Sequence, residues 1–192
     1  ISSVPASARM QSSVESCMND TRRGKAATRN HRNSKRSQMT SPLDKLREYG
    51  YELPMPKAPV ATYIPVTRTG NIVYISGQIS SNEAGPVVGR LGDNMNVVQG
   101  GNAAELAAVN LLSQIVHSAG VDLTKVKRVL KLTVFVASTP EFAEHHLVAN
   151  GASNLIVGVL GDNGRHARSA IGMAALPLGA AVEVEGIIEV ED

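Results

Sequence analysis

The order in which strand and helix periodicities follow one another constrains this chain more than any other feature. Between residues 41 and 192 the patterns read β-β-α-β-α-β-β. Turn signals join the first two strands and the last two strands, so we expect each of these pairs to form a hairpin. The predicted segments, in chain order, are 61–66, 71–79, 97–119, 127–137, 140–160, 169–176 and 181–190.

Strand pairs joined by tight turns, together with two single helices, predict a mixed and mostly antiparallel sheet with both helices on one face. The predicted fold class is therefore α+β, a sandwich whose second sheet face has no helix of its own. Such a face must be charged or covered by another subunit. Here it is neither fully charged nor fully apolar, which favours an oligomer with polar groups at its interface.

The first 40 residues differ in composition from the rest of the chain. They hold eight basic and two acidic residues, a net charge of +6, whereas residues 41–192 have a net charge of −4. A segment so rich in Ser, Arg and Asn and so poor in apolar residues is expected to be disordered. Three interpretations stay open: an organellar transit peptide, an extension upstream of Met39, and a basic arm that contacts nucleic acid. The expected compartment is accordingly cytoplasmic or mitochondrial.

Composition excludes several classes of function for the domain over residues 41–192. Aromatic residues make up 3 % of the chain and Trp is absent, so a base-stacking platform for nucleic acid is not expected. The single cysteine, Cys17, rules out a disulfide framework and a zinc site built on cysteine. No apolar run reaches about 18 residues, the length that spans a membrane. The remaining expectation is a soluble, intracellular domain rich in Ala, Val, Leu and Gly.

Two charged residues are the candidates for chemistry. The alternation over residues 182–185 puts the Val side chains on the helices and Glu183 on the uncovered face. One strand earlier, Ile171 and Met173 are the expected core residues, which places Arg168 on the same uncovered face. A guanidinium among small side chains binds a planar carboxylate through two parallel hydrogen bonds. An ordinary Arg–Glu pair at a subunit seam is the alternative interpretation.

The other candidate motifs favour structural roles. His145 and His146 are adjacent on a predicted helix and therefore point in different directions, so they do not form a metal site. Gly100 and Gly101 precede a helical pattern, yet neither a phosphate-binding loop nor a dinucleotide-binding motif is present. We therefore expect no metal and no cofactor.

Several motifs, in this order, resemble the Rid family, also called YjgF-like or endoribonuclease L-PSP. They are GNIVYISGQI at 70–79, VLKLTVFV at 129–136, ARSA at 167–170, Leu176-Pro177 and VEVE at 182–185. The resemblance spans about residues 57–190, and the segment 149–166 marks a divergent branch. It implies a chorismate-mutase-like fold that assembles as a homotrimer with three clefts between subunits. It also implies cofactor-free hydrolysis of 2-imino or 2-enamino acids to 2-keto acids and ammonia.

The resemblance also implies site residues. The arginine that matches Arg168 holds the substrate carboxylate, and the glutamate that matches Glu183 positions the attacking water. The matching substrate-binding positions are Tyr63, Ser76, Gly77, Asn150 and Ala170. The family's usual cysteine is replaced by Ala170, which removes a thiol but keeps a backbone N–H. Two other functions stay open: an endoribonuclease that inhibits translation, and a trimeric protein that binds small carboxylates without turnover.

Overall fold

A five-stranded sheet organises residues 40–56 and 62–192, the part of the chain that the computed structural model describes. The sequence interpretations for residues 1–39 lie outside these described residues. The helices are α1 (Pro42–Glu48), α2 (Val97–His117) and α3 (His145–Leu160). The strands are β1 (Val66–Thr69), β2 (Ile72–Ile79), β3 (Ser81–Asn82), β4 (Gly85–Pro86), β5 (Val126–Ala137), β6 (Ala167–Met173) and β7 (Val182–Val190).

The main sheet has the strand order β1-β2-β7-β5-β6, while β3 and β4 form a separate small hairpin. Neighbouring strands are antiparallel except for β5 and β6, which are parallel. This confirms the predicted mixed, mostly antiparallel sheet and its α+β class. The first predicted hairpin, β1 with β2, is also confirmed, although β1 begins at Val66 rather than at residue 61. Pro65 directly precedes it and has no N–H to donate to a neighbouring strand.

The predicted hairpin at the end of the chain is wrong. β6 lies at the edge of the sheet beside β5, and β7 lies between β2 and β5, so β6 and β7 are not neighbours. The turn at residues 177–179 is real, but it leads the chain across β5 instead of folding it back. Strand β6 instead pairs with β5 and runs parallel to it. Helix α3 connects these two strands, as the helix does in a βαβ crossover.

Helix α2 forms as its sequence predicts. Asn96 caps its first turn by accepting from the Gln99 N–H, while the Gln99 side chain accepts from the Asn96 N–H. The helix ends at His117, and Gly120 takes a φ of +66°, a left-handed conformation that glycine adopts freely. Four small residues of this helix are buried: Ala103, Ala104, Ala107 and Ala108. Small side chains allow close packing, and α2 contacts β2, β7 and α3.

Helix α3 begins at His145 rather than at residue 140, and Gly151 does not interrupt it. Gly151 is buried against α2, where a Cβ atom would lie 2.0 Å from the carbonyl oxygen of Gly101. The glycine is therefore a point of close helix–helix approach instead of a break. This contact fixes α3 over the β5–β6 end of the sheet.

The core lies between the sheet and the helices. On β7, Val182, Val184, Ile188 and Val190 are fully buried, and a Cβ atom at Gly186 would meet Leu111 of α2. The intervening residues, Glu183, Glu185 and Glu189 among them, face the other side, which we call the open face of the sheet. In β5 a bulge at Leu130 brings Val129 into the core and leaves Leu130 partly exposed.

Candidate active site

Arg168 lies on the helix side of the sheet, so the predicted placement of Arg168 and Glu183 on one face is wrong. In the parallel pairing of β5 with β6, Arg168 is opposite Leu132, which is fully buried under the helices. Ile171, predicted for the core, is 42 % exposed and lies opposite Phe135. Met173 is also exposed.

The reversed orientation of β6 has a steric cause. A Cβ atom at Gly172 would lie 2.4 Å from Nε2 of His145 at the start of α3, so the helix-facing positions after Arg168 have small side chains. Ala170 is the second such position, and it packs against the core. The larger apolar residues of this edge strand, Ile171 and Met173, therefore lie on the open face. This differs from the usual rule that large apolar side chains face the core.

Helix α3 holds the Arg168 guanidinium. Its Nη1 donates to Asn150 Oδ1 at 3.0 Å and to Ser153 Oγ at 2.9 Å. Its Nη2 donates to the backbone oxygen of His146 at 3.1 Å. These three bonds leave the Nε–H and one Nη2–H without a partner among the described residues. Adjacent nitrogens of this kind bind a carboxylate side-on.

Ser153 connects Arg168 to His166. Ser153 Oγ lies 2.9 Å from His166 Nε2, and His166 Nδ1 lies 2.6 Å from the backbone oxygen of Gly164. Burial lowers the pKa of His166, and the positive charge of Arg168 lowers it further, although the hydrogen bond to Gly164 opposes both. Burial also lowers the pKa of Arg168, which still remains charged at neutral pH.

Glu183 occupies space that the absent side chain of Gly77 leaves on the open face. A Cβ atom at Gly77 would lie 1.7 Å from Glu183 Oε1. The register between β2 and β7 shifts by one residue at Ser76 and Gly77, which marks a β-bulge beside this carboxylate. Gln78 donates from Nε2 to the carbonyl oxygens of both bulge residues, at 3.0 Å to Ser76 and 3.1 Å to Gly77.

The Glu183 carboxylate has a raised pKa. Burial is the main cause, and the negative charge of Glu185 on the same strand adds to it. Among the described residues, no hydrogen bond or ion pair joins Glu183 to another side chain. A half-buried carboxylate with a raised pKa and no fixed partner is suited to accept a proton near neutral pH.

Ser76 lies on the same face of the sheet as Glu183, and the chain that follows Tyr63 reaches this face. Ser76 lines a groove of about 350 Å³ on the open face, together with Ile64 and Pro65, which directly follow Tyr63. Tyr63 itself is 50 % exposed. The backbone N–H of Ser76 is not free for a ligand, because it donates to Pro65 O at 2.9 Å.

The predicted site residues therefore fall into two groups that one subunit does not bring together. We call Arg168, Asn150 and Ala170 the arginine half-site, and Glu183, Gly77, Ser76 and Tyr63 the glutamate half-site. The two charged residues lie on opposite faces and two strands apart, which is roughly 10 Å across the strands. They are also offset along β5, since Arg168 is opposite Leu132 and Glu183 is opposite Phe135. They share no hydrogen bond or ion pair within the described chain.

Sequence reasoning missed Ser153 and His166. A signal for each was available, because His146, Asn150 and Ser153 follow one another at helical spacings of four and three residues. They therefore present one polar stripe on α3, and Arg168 lies beneath it. His166 lies two residues before Arg168 and thus on the same side of an extended chain.

Residues 40–56 and 62–192 contain no group of three or more His, Cys, Asp and Glu side chains that could hold a metal ion. Within the same ranges, every helix is too short or too polar to cross a lipid bilayer.

Comparison with known proteins places the chain in a family. Residues 55–190 match the endoribonuclease L-PSP family. Protein TCP17 of Trypanosoma cruzi is 44 % identical over 149 residues, which are 77 % of this chain and 92 % of that protein. The 2-iminobutanoate/2-iminopropanoate deaminase of Rattus norvegicus is 34 % identical over 134 residues, or 68 % of this chain and 83 % of the rat protein.

Among solved structures, protein Atu1372 of Agrobacterium tumefaciens, whose function is unknown, superimposes with a TM-score of 0.74. It is 48 % identical, and the superposition covers 78 % of this chain and 92 % of Atu1372. The chain therefore belongs to the endoribonuclease L-PSP family, which is the Rid or YjgF-like family that its sequence motifs resemble.

Proposed function

We propose that this protein hydrolyses reactive 2-imino acids, and the 2-enamino acids that tautomerise to them, giving 2-keto acids and ammonia. A relative named for this activity, the rat deaminase, is 34 % identical and supports the assignment. The proposal needs no cofactor, since a protonated imine carbon is already electrophilic. Positioning the substrate and presenting a water molecule are then sufficient for hydrolysis.

The observation that carries the proposal is the partly used guanidinium of Arg168. Three of its N–H groups are fixed by α3, and the Nε–H and one Nη2–H remain for a ligand. Every 2-imino acid has a carboxylate beside its imine carbon. Arg168 would hold that carboxylate through two charge-assisted hydrogen bonds, which also fixes the orientation of the imine carbon.

Glu183 would act on the water molecule. The water oxygen bonds to the imine carbon while Glu183 accepts a proton from the water. Protonated Glu183 would then give this proton to the nitrogen of the neutral carbinolamine. The C–N bond breaks while the hydroxyl group loses its proton and becomes the keto group. That proton leaves with the ammonia as ammonium, so a protonated imine and water give a keto acid and ammonium, and Glu183 is ionised again. The raised pKa of Glu183 matches this exchange of protons near neutral pH.

The proposal requires more than one subunit for each site. Because the two half-sites lie on opposite faces of one sheet, a small substrate reaches both only if neighbouring subunits supply one each. The open face also carries exposed apolar side chains, Tyr74 and Ile171 among them, that a neighbour would cover. We propose that the assembly is a homotrimer with three such clefts.

A trapping assay tests the activity. An amino-acid oxidase generates 2-iminobutanoate in place, and semicarbazide competes with hydrolysis for the imine, so an active protein lowers the rate of semicarbazone formation. We expect the wild type to lower that rate in proportion to its concentration, and Arg168→Ala to have no such effect. Equal semicarbazone formation with and without the wild-type protein would refute the deaminase assignment.

The endoribonuclease name of the family calls for a parallel assay. Wild-type protein incubated with single-stranded RNA should leave the RNA intact, since residues 41–192 carry a net charge of −4 and the chain has few aromatic side chains. RNA cleavage that Arg168→Ala leaves unchanged would point to a different site and a different function.

A further inference from the structure

We propose that Ser153 and His166 are positioning residues, which orient the Arg168 guanidinium for a carboxylate through a directed chain of hydrogen bonds. The inference rests on the proposed function of Arg168 as the carboxylate-binding group. Neither Ser153 nor His166 needs to touch the substrate for this role. Their effect passes through Arg168 alone.

The carbonyl group of Gly164, at the end of this chain of hydrogen bonds, determines which groups donate and which accept. The carbonyl oxygen of Gly164 can only accept, so His166 Nδ1, at 2.6 Å, carries a hydrogen. In the neutral ring Nε2 is then an acceptor. It lies 2.9 Å from Ser153 Oγ, so the single hydroxyl hydrogen of Ser153 is donated to His166. This directs the lone pairs of Ser153 Oγ to the incoming N–H of Arg168 at 2.9 Å.

A protonated His166 would break this order. Its Nε2 would become a donor, so Ser153 Oγ would have to accept from both His166 and Arg168, and its own hydrogen would lose its acceptor. Two positive charges would also lie one hydroxyl group apart. Burial and the Arg168 charge both favour the neutral ring, which agrees with the direction that the geometry requires.

The consequence for binding is a guanidinium fixed before the ligand arrives. A free arginine side chain loses rotamer freedom on binding a carboxylate, and that loss weakens binding. With Nη1 bonded to both Asn150 and Ser153, the plane of the guanidinium is set by α3. Removing the hydrogen bonds of Ser153 and His166 should therefore weaken carboxylate binding, while the chemical step at the imine carbon continues.

Four variants separate the hydrogen bonds from simple packing. Ser153→Ala removes the hydroxyl and Ser153→Thr restores it. His166→Leu removes both ring nitrogens, and His166→Gln keeps an acceptor for the Ser153 hydroxyl. His117→Gln is the matched control, since His117 is an exposed histidine at the end of α2. Circular dichroism and melting curves verify that every variant is folded.

We expect Ser153→Ala and His166→Leu to raise KM about tenfold, with kcat changed by less than about twofold. Ser153→Thr and His166→Gln should lie close to the wild type. An unchanged KM in Ser153→Ala and His166→Leu would overturn the inference. So would a raised KM that Ser153→Thr and His166→Gln share, because it would indicate packing instead of hydrogen bonding.

Titration with 2-oxobutanoate, measured by calorimetry, separates this inference from the proposed function. If the wild type binds this keto acid but does not hydrolyse the imine, and Ser153→Ala weakens binding, the positioning role stands and the deaminase assignment fails. If the wild type hydrolyses the imine and the variants equal it, only the positioning role fails. If the wild type neither binds nor hydrolyses, both fail.

Discussion

The two half-sites differ in how much of their hydrogen bonding is already satisfied. Arg168 is held by three acceptors from α3, whereas Glu183 has no partner among the described side chains and rests over a glycine. A fixed cation suits the binding of a carboxylate that does not change during reaction. An unfixed carboxylate with a raised pKa suits the movement of a proton. The difference indicates that binding and chemistry are divided between the two.

The largest expected effect comes from removing the charge that accepts the proton. Glu183→Gln keeps the shape of the side chain, so KM should stay near the wild-type value while kcat falls about 10²- to 10⁴-fold. Initial rates of keto-acid release over a range of imine concentrations measure both constants. A rise in KM equal to that of Arg168→Ala, with a similar change in kcat, would contradict the division of roles.

The same variant should raise the melting temperature slightly at neutral pH. Burial disfavours the ionised form of Glu183, so its folded-state pKa lies above the ordinary value of 4.5. The folded protein therefore binds this proton more readily than the unfolded chain, and stability from this group increases as pH falls through its raised pKa. Glutamine removes the unfavourable charge, so the difference in melting temperature from the wild type should vanish in acid.

The arginine half-site depends on the approach of α3 to α2, and Gly151 tests it. A Cβ atom there would lie 2.0 Å from Gly101 O, a backbone atom that cannot move aside alone, so Gly151→Ala should cost about 1–3 kcal/mol of unfolding free energy. Denaturant unfolding measures the change. In contrast, Gly101→Ala adds its Cβ to open space in α2 and should stabilise by up to about 1 kcal/mol.

Gly151→Ala should also raise KM through displacement of Asn150 and Ser153 from Arg168, whereas Gly101→Ala should not. If both alanine variants unfold at the same denaturant concentration, the close approach of the helices does not hold α3 in place. The source of the Arg168 geometry would then have to be sought in β6 itself.

The sequence predicts the fold well where a pattern depends on neighbours along the chain. The helical pattern over residues 97–119 and the alternation of Val and Glu in β7 are local signals, and both elements are found, although α2 ends at His117. The partner of β6 is not a local property. A turn at residues 177–179 fits a hairpin as well as a crossing over β5, and only packing of the whole sheet decides between them.

The candidate site was predictable in its residue types but not in its geometry. Family motifs identify Arg168 and Glu183. The alternation of side chains along β6, however, predicts the wrong face for Arg168, because the small residues Ala170 and Gly172 face the helix. In this edge strand, hydrophobicity favours burial of the larger side chains, whereas the space under α3 admits only small ones. The limited space determines which face of β6 is turned to the helix. Ser153 was missed because the helical spacing that it shares with His146 and Asn150 points to a function only once Arg168 is known to lie on the helix side of the sheet.

A smaller effect is expected from Gly77, which leaves room for Glu183. Its φ is not in the left-handed region, so Gly77→Ala keeps the backbone, but the new Cβ would lie 1.7 Å from Glu183 Oε1. The flexible carboxylate should move instead of the strand, so stability stays near the wild type and kcat falls about tenfold. A variant with normal kcat would show that the glutamate half-site does not need this placement.

The smallest expected effect is a shift in the pH profile after Glu185→Gln. In the proposed mechanism Glu183 acts as a base in its ionised form, so kcat should rise with pH through its raised pKa, and the charge of Glu185 contributes to the raising of that pKa. Removing the charge should move the acid limb of the kcat profile to lower pH, while burial keeps it above the position expected for an ordinary glutamate.

The control is Glu189→Gln on the same strand, whose partner is Lys127 at 3.0 Å and whose charge does not act on Glu183. Its profile should match the wild type, and an equal shift in both variants would mean that general surface charge, and not the Glu185 neighbour, sets the proton affinity of Glu183.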